Sequence, residues 1–237
     1  MFISQELLLT GCNSIGLHPD PETVLRFDAY AKLLAEYNEK VNLTAITTPD
    51  GIVNKHFIDS LFLLRYVSLN GGDKLCDVGT GAGFPGMALL CANPSLRVTL
   101  FDSVNKKLEF LRLLAGELGL TVEIVKTRAE EAGRSPAYRE QFDVVTARAV
   151  AQLNVLSEYC VPLVRLNGCF APLKAVMTEE EAQRGFGAAV TLGAKKVRRE
   201  RYAIPDGSER EIVVFQKIST TQGKYPRNAS QIAKKPL

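Results

Sequence analysis

Over the first seventy residues the apolar side chains keep a helical beat. Leu25, Tyr30, Leu33, Leu34 and Tyr37 recur at three- and four-residue spacing, the repeat that buries one stripe of a helix. A second helix is predicted through His56, Phe57, Leu61, Leu64 and Arg65, with Pro49 and Asp50 at its approach and Gly71-Gly72 beyond its end. From Lys74 the rhythm changes. Lys74 to Val78, Arg97 to Phe101, Thr121 to Lys126, Phe142 to Ala147 and Gly168 to Leu173 read as short apolar strands. Helices are predicted between and after them: from about Phe84, from Lys106 to Leu118 with Leu108, Leu111, Leu114, Ala115 and Leu118 on one face, from Leu153 to Val164, and from Glu179 to Val190. Strands that alternate with helices imply a doubly wound α/β architecture, a mostly parallel sheet covered on both faces. Lys195 to Tyr202 and Glu211 to Lys217 follow without a helix between them and predict an antiparallel hairpin at the sheet edge. The expected organisation is a helical N-terminal extension over 1–70, the α/β domain over 71–218 and a C-terminal tail over 219–237.

Composition narrows the class. A chain of 237 residues is long enough for one such domain with an extension. It holds no apolar run of the roughly eighteen residues that a membrane span needs. The start, with Gln5 and Glu6 inside its short apolar stretch and no basic residues before it, fits a helix of a cytoplasmic protein better than a signal peptide. The five cysteines (Cys12, Cys76, Cys91, Cys160 and Cys169) are scattered and never spaced C-x-x-C, and only two histidines accompany them, so no metal site is expected. Net charge is a mere +3, but its distribution is uneven. Lys195, Lys196, Arg198, Arg199 and Arg201 crowd one segment, and the last twenty-one residues carry Lys217, Lys224, Arg227, Lys234 and Lys235 with no acid. A basic tail without apolar periodicity is expected to be disordered or laid against something negative.

The densest chemical signal is Asp77-Val78-Gly79-Thr80-Gly81-Ala82-Gly83-Phe84-Pro85-Gly86. A strand that runs into several glycines and then a helix brings bare backbone within contact distance of a ligand, beyond the carboxyl ends of the strands. Asp102 closes the second strand, where a carboxylate accepts hydrogen bonds from both hydroxyls of an adenosine ribose, and Thr127-Arg128-Ala129-Glu130 follows the third strand, toward the adenine edge. Two cofactors suit this plan, a nicotinamide dinucleotide and S-adenosylmethionine. Gly81, Gly83 and Gly86 match the dinucleotide pattern, but with the first glycine two residues late and Pro85 inside the motif; Gly79, Gly81 and Gly83 behind Asp77 suit a ligand without pyrophosphate.

Several stretches together resemble the bacterial RsmG (GidB) family of 16S ribosomal RNA guanine-N7 methyltransferases. They are Asn42-Leu43-Thr44-Ala45-Ile46, His56-Phe57-Ile58-Asp59-Ser60-Leu61, the glycine loop, Arg128-Ala129-Glu130, Thr146-Ala147-Arg148-Ala149-Val150-Ala151, Lys224-Tyr225-Pro226-Arg227 and the ending Lys234-Lys235-Pro236-Leu237. The likeness runs from about Phe27 to the C-terminus. It departs at Lys174-Ala175, where members usually carry Lys-Gly, and at Ser230 and Ile232, where they usually carry glycine and proline. The resemblance implies a class I S-adenosylmethionine-dependent, Rossmann-like fold. Donor contacts would come from Gly79 and Phe84, from Asp102, Ser103 and Val104 at the ribose, from Ala129 and Glu130 at the adenine, and from Arg148. It implies 16S ribosomal RNA or the small ribosomal subunit as partner, and a monomer is expected.

Guanine N7 has a free lone pair and no proton to lose, so no general base is obligatory and alignment dominates. That agrees with a chain that has two histidines and no Ser/His/Asp or Cys/His constellation. Arg148 and Lys174, at the ends of the fourth and fifth strands, are the positioning candidates. Asp77 is expected to fix the glycine loop or meet the donor's amino group. His56 and Asp59, one turn apart, are expected to hydrogen-bond each other, and Asn42 to bond a loop backbone. Lys195, Lys196, Arg198, Arg199, Arg201, Lys224, Arg227, Lys234 and Lys235 are candidate phosphate contacts. A methyltransferase for another RNA or a small molecule, a nicotinamide-dependent oxidoreductase and an RNA-binding module with a vestigial pocket remain as alternatives.

Overall fold

The computed structural model describes residues 1–148 and 151–237; Ala149 and Val150, within the Thr146-to-Ala151 stretch quoted above, lie outside the described residues. The N-terminal region holds α1 (Gln5–Ser14) and α2 (Pro21–Asn38), then a helical run made of α3 (Pro49–Ile52), a π-helical stretch (Val53–Ile58), α4 (Asp59–Leu61) and α5 (Leu63–Tyr66). Strands β1 (Lys74–Val78), β2 (Arg97–Asp102), β3 (Glu123–Lys126), β4 (Phe142–Thr146) and β5 (Val164–Phe170) are joined through α6 (Gly86–Ala92), α7 (Asn105–Glu117), α8 (Ala129–Ala132) and α9 (Leu153–Cys160). Then come β6 (Leu173–Ala175), α10 (Glu179–Thr191), β7 (Ala194–Ala203), β8 (Glu209–Lys217) and α11 (Ala229–Lys234).

These strands make one sheet. β3, β2, β1, β4 and β5 lie side by side and parallel, and β8 runs antiparallel with β5 and β6 along one side and β7 along the other. The strand order reverses between β1 and its two neighbours, so the carboxyl end of β1 is the point where such sheets take ligands. One apolar layer packs Phe27, Tyr30, Leu34 and Phe57 of the N-terminal helices against Met87, Leu100 and Leu111, so the extension shares a core with the sheet. The opposite layer packs Leu153, Leu156, Ala189, Phe215 and Tyr225.

Local chemistry explains most boundaries. Asp20 accepts the Thr23 amide at 2.7 Å and Pro21 opens the first turn, which together start α2. Thr178 caps α10, whose first turn carries Glu179, Glu180 and Glu181 against the positive end of the helix dipole. The buried stripe of α2 is Val24, Phe27, Tyr30, Ala31 and Leu34, whereas Leu25 stands 60% exposed, one position off the stripe predicted from it. Pro49 and Asp50 belong to the first turn of the second helical run rather than to its approach. The predicted fifth strand divides: β5 ends at Phe170 and β6 resumes at Leu173, because Pro172 has no N–H to give the ladder. Among the described residues no helix is long and apolar enough to cross a membrane, and no cluster of acids, cysteines and histidines is arranged to hold a metal.

Of the two courses expected for the tail, the structure shows the second: it is laid against something negative, and that negative surface is the chain's own. Glu158, fully buried on α9, accepts Arg227 through Nε at 2.8 Å and Nη2 at 2.6 Å and also accepts the Arg227 amide at 2.8 Å. Glu140 accepts the Thr221 amide, and Arg139 donates to the carbonyls of Thr221 and Tyr225. Tyr225 and Ile232 are then buried despite the missing periodicity, Ile232 completely. Removal of one partner from a buried ion pair leaves an uncompensated charge and costs about 3–5 kcal/mol. Arg227 is partly exposed, so Arg227→Ala should fall near the lower end, about 3 kcal/mol, read as a reduced urea midpoint with faster proteolysis of residues 219–237.

Candidate active site

The glycine loop is built by opposing uses of its glycines. Gly79, Gly81 and Gly83 have φ of 71°, 60° and 101°, in the left-handed region that side chains rarely adopt. Gly83 is also held by packing, since a Cβ there would stand 2.5 Å from the Tyr30 hydroxyl, and one on Gly86 would stand 2.8 Å from Asp77 Cβ. At Gly81 a Cβ would meet nothing within 4 Å, so its side of the loop is open. The amides of Gly79 and Thr80 both donate to the Phe101 carbonyl, which folds the loop onto the end of β2.

Two carboxylates divide the work. Asp77 is buried; its Oδ2 accepts Thr80 Oγ1 at 2.7 Å and the Gly86 amide at 2.8 Å, joining loop to helix. Its Oδ1 has no partner among the described residues, and burial pushes its pKa up to about 6. Asp102 holds the open side: Oδ2 accepts the Gly81 amide at 3.0 Å and Oδ1 the Val104 amide at 2.9 Å. A cavity of about 160 Å³ lies there, lined by Gly79, Asp102, Ser103, Ala129 and Glu130 together with Arg128 and Tyr159. The Asp102 and Glu130 carboxylates, bare backbone and the Tyr159 ring form a donor and acceptor set that fits an adenosine. Phe84 does not line this cavity. It is stacked between Tyr30 and His56, with ring centroids 5.1 and 4.4 Å away.

A second, larger cavity of about 670 Å³ opens beside the ends of β4 and β6. Arg148 is its organising charge. Nη1 donates to Asp59 Oδ2 and to the Lys55 carbonyl, both at 2.9 Å, and Nη2 donates to His56 Nδ1 at 3.0 Å. The expected bond between His56 and Asp59 is therefore replaced: each bonds Arg148 instead. Because Nδ1 accepts, Nε2 carries the proton and donates to Thr44 Oγ1 at 2.9 Å. Burial, and then the neighbouring guanidinium, push the His56 pKa down to about 3. Lys174 also lines the cavity, bonded to the Ala151 carbonyl at 2.7 Å and to Glu181 at 2.8 Å. Asn42 is exposed; the amide that bonds the loop at Leu43 and Thr44 is Asn38.

The candidate phosphate contacts are not one patch. A register shift between Lys196 and Arg198 interrupts the alternation of β7, so Lys196 and Arg199 lie over Phe186 of α10 while Arg198 lies over Tyr66. Arg199 is engaged by Glu179 and Glu211, each at 2.6 Å, and Arg227 by Glu158, so neither offers a free guanidinium. Lys195, Lys196, Arg198, Arg201, Lys224, Lys234 and Lys235 are exposed. Sequence reasoning missed Tyr30, whose hydroxyl donates to the Ala82 carbonyl at 2.6 Å, and missed Lys55, Glu181 and Arg210 around the larger cavity. Tyr30 sits in an ordinary core stripe, and the others have no local motif.

A family model described as GidB, rRNA small subunit methyltransferase G, matches residues 24–211. The ribosomal RNA small subunit methyltransferase G of Exiguobacterium sibiricum is 44% identical over 237 residues, covering 99% of this chain and all of that one. Its namesake in Lactobacillus acidophilus is 48% identical over 217 residues, 90% of each chain. Among solved structures, a methyltransferase from Pyrococcus furiosus superposes with a TM-score of 0.57 at 19% identity, over 81% of this chain and 97% of that one. A methyltransferase from Bacillus halodurans gives 0.55 at 16%, over 68% and 99%. At these identities the likeness is one of fold, an α/β methyltransferase of class I.

A histidine whose pKa is depressed on folding binds its proton more weakly in the native than in the unfolded chain. Its contribution to stability is therefore lost as pH falls from the ordinary 6.5 toward about 3. Proton NMR should show the His56 ring unshifted from pH 8 to pH 5. A titration midpoint above 5 would break the Arg148 arrangement.

Proposed function

The chain belongs to the rRNA small subunit methyltransferase G (GidB) family, and from that premise we propose that it transfers a methyl group from S-adenosylmethionine to N7 of a guanine in 16S ribosomal RNA. The observation that carries this reading is the pair of cavities along one carboxyl edge of the sheet, the smaller with the chemistry of a nucleoside cradle. Asp102 is the acceptor for ribose hydroxyls, and Ala129 and Glu130 face the adenine side. The open side of Gly81, where an added Cβ would meet nothing within 4 Å, leaves the space in which backbone contacts to the donor would form.

When bound, S-adenosylmethionine supplies an electrophilic methyl group on a sulfonium. The chain's own residues align the target and exclude water. His56 is no base, because both ring nitrogens are engaged and its proton stays on Nε2. Arg148 is neutralised by Asp59 and keeps its charge in place beside the target cavity. Lys55 and Arg210 stand at the rim, partly exposed, where a nucleotide's phosphate would approach.

Incubation of the protein with methyl-labelled donor and small ribosomal subunits, followed by aniline cleavage, should map a single 7-methylguanosine. Label on adenine or cytosine instead would refute the base assignment. Asp102→Asn should weaken donor binding at least about tenfold in calorimetry, the worth of one charge-assisted hydrogen bond, and should lower the melting midpoint, because the Gly81 or Val104 amide loses its acceptor.

A further inference from the structure

Two carboxylates line the larger cavity among the described residues, Asp59 and Glu181, and they are differently placed to act. Asp59 is fully engaged: Oδ2 accepts from Arg148, and Oδ1 accepts the Tyr202 hydroxyl at 3.0 Å with Arg210 Nε at 3.7 Å. Glu181 is engaged through one oxygen. Its Oε1 accepts the Leu153 amide at 3.1 Å and lies 2.8 Å from Lys174 Nζ, while no hydrogen bond reaches Oε2 among the described residues. The capped first turn of α10 fixes its backbone, and the side chain remains 21% exposed at the cavity wall.

Guanine presents acceptors, N7 and O6, on one edge and donors, N1–H and the N2 amino group, on the opposite Watson–Crick edge. If N7 faces the methyl donor, the donor-bearing edge faces away from it and needs an acceptor in the cavity wall. We propose that Glu181 Oε2 reads the N1–H and N2 amino group of the target guanine, with Lys174 as the positioning residue that clamps Oε1 and turns Oε2 to the cavity. This inference rests on the guanine-N7 reading of the same site. It makes Glu181 a specificity residue: adenine has an acceptor at N1 and no amino group at C2, so the carboxylate repels it.

The test removes the donor from the base and the acceptor from the protein. Small subunits are reconstituted with 16S RNA transcribed from mixed GTP and ITP, so that guanosine and inosine, which lacks the N2 amino group, compete at the target. After digestion, the ratio of 7-methylguanosine to 7-methylinosine, corrected for incorporation, is the ratio of kcat/KM. The wild-type chain should prefer guanosine by about tenfold or more, the worth of a charge-assisted hydrogen bond. Glu181→Ala should bring the ratio near one, and Glu181→Gln, whose amide oxygen still accepts without charge, should lie between. Lys174→Ala should lower the ratio as well, which a role in folding alone would not do. Donor affinity and melting midpoint are followed in parallel, and Glu181→Gln carries the test alone if the alanine variant does not fold. A preference that both Glu181 variants leave unchanged, or a wild type with no preference, overturns the proposal. Absence of 7-methylguanosine from the wild type removes the proposed function itself, an outcome distinct from methylation with unaltered preference.

Discussion

A guanidinium cannot shed its charge by losing a proton, so Arg148, at the carboxyl end of β4 and only 14% exposed, obliges the surrounding chain to supply acceptors. All of them come from one place. The Lys55 carbonyl, the Asp59 carboxylate and His56 Nδ1 belong to the π-helical stretch and the turn after it, which present all three acceptors on one side. Asp59 passes the constraint on to Tyr202 of β7 and Arg210 of β8. One charge thus fastens the N-terminal helices, the central sheet and the edge hairpin together. Loss of either partner of a pair this buried costs about 3–5 kcal/mol, a large fraction of a domain's stability. The same node requires a neutral His56, since a protonated ring has no lone pair to offer Nη2.

Asp77 and Asp102 show how one loop uses two acids without making either a catalyst. Asp77 is walled in and ties loop to helix, and the cost of its burial appears as a raised pKa and an oxygen that no group among the described residues bonds. Asp102, one strand over, spends one oxygen on Gly81 and the other on Val104, and so shapes the cavity edge that it also lines. Swapping their roles would put the poorly solvated acid at the ligand and leave the loop untied.

What the sequence revealed was what is local. Strand and helix periods, the glycine loop and the acid ending β2 are each set by a few neighbouring residues, and the parallel sheet follows from their alternation. The stripe of α2 was legible except for its register, because Leu25 and Val24 are both apolar and only packing against the sheet chooses Val24. The pairings of charges were not legible. Arg148 meets residues about ninety positions away, and Arg227 meets Glu158 across sixty-nine, so a tail that looks unable to bury itself is held by a glutamate inside an unremarkable helix. The basic run of β7 crowds in sequence but divides in space, because strand alternation and a register shift between Lys196 and Arg198 are both invisible in linear spacing.

The helical extension also enters the chemistry of the site. Tyr30 of α2 donates to the Ala82 carbonyl inside the glycine loop and stacks on Phe84, whose other face carries His56. Those three rings stand behind the loop, beside the wall of the larger cavity. A reaction that needs no proton transfer depends on the alignment of nitrogen, methyl and sulfur, and displacements of about an ångström cost such reactions roughly a hundredfold. The position of the loop is fixed from outside the α/β unit, by an aromatic stack whose members come from α2, the π-helical stretch and the loop itself. A change in α2 that leaves the sheet intact would therefore reach the glycine loop through Tyr30, and the N-terminal helices position the proposed donor cradle as the strands do.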